Sequence, residues 1–142
     1  MKTESASSNW KTLSWNMDEL KRFQSEFIQN SCYRMDESLR MVAIALTKVS
    51  EEQLWKKPNP ALNSIGNLIL HLCGNMTQYG IASLKDITDK RERNLEFSVD
   101  GGFNKMELLE KLTTTVNLVK RAFEEVTTSR LLTKKQVQGF EF

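Results

Sequence analysis

The stretch SIGNLILHLCGNMTQYG, residues 64–80, decides the fold of this chain. Ser64 has the side chain of a helix N-cap, and no proline follows it. Ile65, Leu68, Ile69, Leu72, Cys73 and Met76 recur at helical spacing and form one apolar face. A helix is therefore predicted from 64 to about 84. Asn67, His71, Asn75 and Gln78 follow one another at spacings of four, four and three, which lays a polar line beside that face. His71 is the chain's single histidine, and it lies in the middle of this line.

Upstream, apolar residues from Met17 to Val49 recur mostly every three or four positions, the pattern of a long amphipathic helix. Asn16 with Glu19 has the form of a capping box at its start. Ser50 with Gln53 repeats the device for a short turn, and Pro58 and Pro60 then prevent any helix from continuing. Downstream, DITDKRERNLEFSVDGGF is charged and aperiodic, so residues 85–104 are predicted to be a connection. A link that long points to a crossover, which leaves the second and third helices parallel. Asn104 with Glu107 caps a third helix over 105–127, whose stripe includes Met106, Leu109, Leu112, Val116, Val119 and Phe123. With no useful β-alternation and no internal repeat, the class is all-α.

Composition narrows the partners. The 142 residues carry 20 basic and 18 acidic side chains with the signs interspersed, which gives no footprint for nucleic acid. No apolar run is long enough to span a membrane or to serve as a secretory signal, so a cytoplasmic setting with Cys32 and Cys73 as reduced thiols is expected.

VSEEQLWKKPNPALNSIGNLILHLCGNMTQY (49–79), the charged loop DKRERNLEF and the terminal VQGFEF together resemble the DinB-like superfamily, in its branch of small uncharacterised bacterial proteins. The resemblance covers nearly the whole chain and implies a single DinB-like domain over 1–142, a four-helix bundle of up-down-down-up topology. Only three long helices are present, because the chain ends at Phe142 where the fourth is expected. Members of the superfamily bind a divalent metal such as zinc or nickel through three histidines. One stands on the second helix and two stand four residues apart on the fourth. His71 matches the second-helix ligand, and the other two ligands have no counterpart here. Characterised relatives include transferases that use low-molecular-weight thiols. The resemblance therefore implies a metal-dependent thiol transferase or hydrolase of unknown substrate, incomplete as it stands. The alternative is a non-catalytic dimerisation or small-molecule-binding module in which His71 is structural.

Three imidazoles hold such an ion and leave a position open for water or thiolate, whereas one imidazole does not. Cys73 cannot assist, since two residues on a helix differ by about 200° of rotation. No tightly bound metal is expected in this chain. Asn67, Asn75 and Gln78 are the candidates to orient the imidazole or a water beside it. A Cys32–His71 pair is disfavoured for want of a setting that lowers a thiol pKa. The run Lys90–Arg93 reads as a solvated loop, and Trp10, Trp15 and Trp55 as anchors at element ends. Three one-sided stripes leave an apolar trough, so a homodimer is expected, with Phe140 and Phe142 buried.

Overall fold

The structure, a computed structural model, describes residues 16–141. Trp10, Trp15 and Phe142 lie outside that range. Helix α1 spans Met17–Thr47, α2 Glu51–Leu54 and α3 Ile65–Met76. α3 runs on through a π-helical turn, Thr77–Ala82, into α4, Ser83–Lys85. α5 covers Arg93–Ser98, α6 Lys105–Glu124 and α7 Thr128–Leu131, before a hairpin of β1, Gln136–Val137, and β2, Phe140–Glu141. Among the described residues the architecture is all-α apart from that hairpin.

The helix starts are set by short-range chemistry. Asn16, Ser50, Ser64 and Asn104 each accept from the backbone N–H three residues on, and the side chains of Glu19, Gln53, Asn67 and Glu107 return the bond. The hairpin closes through Gln138 and Gly139, at φ 53° and 82°, the positive pair that a type I′ turn requires.

Cross-helix pairs fix the directions. Gln24 Nε2 donates to the Val126 carbonyl at 2.9 Å, Lys120 pairs with Asp36 at 2.7 Å, and Lys105 Nζ donates to the Val49 carbonyl at 2.7 Å. α1 and α6 are therefore antiparallel. In contrast, the Trp55 ring covers Gly66 while its Nε1 donates to the Phe103 carbonyl at 2.9 Å, the Cys73 thiol bonds to Thr115, and Gly80 meets Val119. α3 and α6 therefore run parallel, as the crossover requires.

α6 packs on both α1 and α3, and Leu46, Leu54, Ile69, Leu70, Cys73, Leu108, Leu112 and Val116 form the buried core. Between α1 and α3 lies an open apolar trough of about 280 Å³, walled by Met35, Leu39, Val42, Leu72 and Met76 with Leu112 and Val116 behind them. Leu68 and Leu72 do not face the core with the rest of their stripe: they are 48% and 43% exposed, and Leu72 lines the trough. Phe140 is 68% exposed, so its expected burial is not met within the chain.

Residues 85–104 are not a plain connection. They contain α5, a short helix without a side-chain cap at its start, whose apolar positions are too few to show a period.

Candidate functional site

α3 presents its polar line to the crossover. Ser64 and Asn67 are almost wholly buried, at 1% and 0% exposure, so every polar atom needs a partner. Asn67 Oδ1 accepts from the Ser64 N–H at 3.1 Å and the Ser64 hydroxyl at 2.8 Å. Its Nδ2 donates to the carbonyls of Glu96 at 3.0 Å and Val99 at 2.6 Å. One side chain thus completes the capping box of α3 and fastens the C-terminal half of α5, which carries Glu96.

That fastening brings Glu96 over His71 with Oε2 2.9 Å from Nδ1. Arg91 grips the same carboxylate with both arms of its fork, Nε to Oε1 at 2.7 Å and Nη2 to Oε2 at 2.8 Å. The pair is well buried, with 5% of the Arg91 side chain and 11% of that of Glu96 exposed. Burial pushes the Glu96 carboxyl up, but the hydrogen bonds from Arg91 and His71 and the guanidinium charge outweigh it and hold the group below its ordinary 4.5. The Phe97 ring packs against the imidazole with centroids 4.8 Å apart.

The geometry also assigns the imidazole proton. Arg91 Nη2 lies 3.0 Å from Nδ1, so Nη2, Nδ1 and Oε2 form a nearly equilateral triangle. The two hydrogens on Nη2 are about 120° apart in a planar fork, and one is committed to Oε2, so the other points away from Nδ1. Nδ1 therefore carries hydrogen and donates to Oε2, and Nε2 takes no part in the contact.

Gln78 reaches the site through Arg91. It lies nearly two helical turns beyond His71, on the same face. Its Oε1 accepts from Arg91 Nη1 at 2.8 Å and from Gln138 of the hairpin turn, and its Nε2 donates to Asp89. Neither Asn67 nor Gln78 bonds to the imidazole; each acts through Glu96 or Arg91. Asn75, on the same line, is half-buried and takes no part in the network. Cys32 is placed beside Lys120, Glu124 and Asp36, away from His71, and burial pushes its thiol up, as it does that of Cys73.

Arg91 corrects the reading of Lys90–Arg93 as a solvated loop: its guanidinium is the most buried charge of the site. Glu96 is not legible in the sequence for the same reason, that a charged aperiodic run carries no sign of which charge turns inward. A faint signal exists in Gly74. A Cβ there would lie 1.9 Å from Glu96 Oε1 and 2.8 Å from Arg91 Nε, so the glycine marks where the crossover closes on α3.

Beside this pair opens a cleft of about 910 Å³ between α3, the crossover and α6. Arg91 and Glu96 line one wall, Lys111 and Thr115 the other, and Leu70, Val99 and others the apolar surface between. His71 stands behind Glu96, outside the lining. A divalent metal does not fit these residues. His71 offers Nε2 alone, a guanidinium lies 3.0 Å from the ring, and among the described residues no three His, Cys, Asp or Glu side chains gather as a ligand set.

The fold and site define a helical unit of two antiparallel long helices and a parallel third, with a crossover locked to it by a buried ion pair. The chain belongs to the DUF1572 family of proteins of unknown function, whose model matches residues 22–140. Comparison with curated proteins and with solved structures returns no match.

Proposed function

We propose that the chain is a DinB-like helical module that binds a small organic molecule in the cleft between α3, the crossover and α6, with His71 as a structural brace. The observation that carries this reading is the cleft itself. Its volume of about 910 Å³ falls in the range of small-molecule sites, and its lining is mainly apolar with a few fixed polar groups at one wall. The Arg91–Glu96 pair is oriented by His71, Asn67 and Gln78 before any ligand arrives, so binding need not order it. An NMR titration with decanol, a neutral apolar probe, tests the proposal. Shifts at Leu70, Leu95 and Val99 support it, and a titration that leaves those resonances unmoved refutes it.

We propose further that the module is a cytoplasmic homodimer built on the trough. Phe23, Phe27 and Met41, at 63%, 48% and 56% exposure, are further apolar side chains of α1 in water, and a two-fold partner would cover such surface together with Leu72. Light scattering at micromolar concentration checks the mass: a dimer is expected, and a stable monomer overturns this part.

The metal-dependent thiol transferase or hydrolase is the competing reading, and it requires ligands besides His71 that the described residues do not supply. Elemental analysis separates the two. A stoichiometric zinc or nickel that is lost in His71→Ala would replace the binding-module reading with the enzymatic one.

A further inference from the structure

The charges around the cleft are unequally committed. Arg91 and Glu96 hold each other, and the Asp89 carboxylate accepts from Gln78 and from the Arg91 backbone N–H at 3.0 Å. Lys90 and Glu92 stand two residues apart on the crossover, and their opposite charges offset one another over that wall. Lys111 is different. It rises from α6 on the facing wall, and no carboxylate among the described residues lies within ion-pairing distance of its ammonium.

Most of the remaining lining is apolar, Leu70, Ile87, Leu95, Val99 and Phe103 among it, with Thr77 and Thr88 as neutral polar groups. Ile87 and Leu95, each 55% exposed, hold apolar area in water that a ligand body would cover. An apolar wall with the Lys111 ammonium at its edge, no described carboxylate within ion-pairing distance, is complementary to a molecule with an apolar body and one negative end. A second negative group would meet the Glu96 and Glu92 carboxylates.

We infer that the cleft takes an amphiphilic organic monoanion, its apolar body against Leu95 and Val99 and its anionic group on Lys111. The inference rests on the proposed binding role of this cleft and adds the chemical class of the ligand.

Decanoate and decanol, equal in chain length and different in charge, make the test, each titrated into the protein below its self-association limit and followed by NMR shifts of the cleft residues. Decanoate should bind about fivefold more tightly than decanol, as one partly exposed ion pair allows. Lys111→Gln should remove that advantage, bringing decanoate to the affinity that decanol has in the same variant. Lys111 is exposed and makes no contact that folding needs, so the variant keeps the fold. Equal binding of the two probes in the cleft, with no effect of Lys111→Gln, overturns the monoanion while the binding role stands. Shifts confined to Phe23 and Phe27 on α1, or none for either probe, overturn both.

Discussion

Gly74→Ala sets two known effects against each other. In the interior of a helix, alanine in place of glycine is ordinarily stabilising by about 1 kcal/mol, because glycine has more backbone freedom to lose. At Gly74 the new Cβ would stand 1.9 Å from Glu96 Oε1 and 2.8 Å from Glu96 Cδ and Arg91 Nε. Oε1 cannot retreat freely. It is held by Arg91 at 2.7 Å, its partner oxygen is held by His71 and Arg91, and the backbone of Glu96 is pinned by Asn67 at 3.0 Å. Separating a buried ion pair costs about 3–5 kcal/mol, so the net expectation is a loss of about 2–4 kcal/mol. Urea unfolding followed by circular dichroism measures it. The sign should reverse in a Glu96→Ala background, where the obstructing carboxylate is gone and Arg91 is free to move: there Gly74→Ala should stabilise by about 1 kcal/mol. A Gly74→Ala protein as stable as the parent would refute the reasoning, as would equal effects in the two backgrounds.

Three further outcomes follow from the same network. The Glu96 carboxyl is held below 4.5 in the folded chain, so its stabilising contribution is complete above the unfolded value and is lost as pH falls through the folded one. The stability difference between the parent and Glu96→Gln should narrow in urea unfolding below about pH 4.5, and a constant gap would contradict the assignment. Asn67→Leu leaves the Glu96 and Val99 carbonyls without their donor and removes the return bond of the α3 capping box from the Ser64 N–H, for an expected loss of about 3 kcal/mol. Amide exchange should quicken across α5 first, and unchanged protection there counts against the pinning role. Alkylation by iodoacetamide should reach half-buried Cys32 well before Cys73, which lies in the core, and the reverse order would show that the cleft opens to the thiol.

The sequence carried the long helices because their signals are local and repeated. Asn16, Ser50, Ser64 and Asn104 sit three residues before a side chain that returns the bond, and that spacing is visible without any tertiary knowledge. The crossover was legible as length alone. α5 was not, since six residues with a charged start and no cap show no period. The site was half legible: the spacing of Asn67, His71 and Gln78 showed one polar face, but not what it faces. Arg91 and Glu96 could not be told from solvated neighbours, because whether a charge is buried depends on the partner that folding delivers. Leu68 and Leu72 erred in the other direction, counted with a core stripe whose rotation about α3 was set by the position of α6.

That rotation separates the two proposed surfaces. At about 100° per residue, a circuit of α3 passes Leu68 and Leu72, then Ile69 and Cys73, then Leu70 and Gly74, and returns to Asn67, His71 and Gln78. Leu72 of the first pair faces the trough, the second pair packs on the core, the third borders the cleft, and the polar line meets the crossover. α6 repeats the division: Leu112 and Val116 look into the trough, while Lys111 and Thr115, one position earlier in each case, line the cleft. The α3–α6 contact therefore stands between dimerisation and ligand binding, and no side chain lines both surfaces. Leu72→Arg, at a half-exposed position where arginine can reach water, should convert the dimer to a folded monomer in light scattering and leave the decanol affinity of the cleft unchanged. A monomer that has also lost decanol binding would mean that the partner subunit shapes the cleft, and the separation argued from the helix rotation would fail.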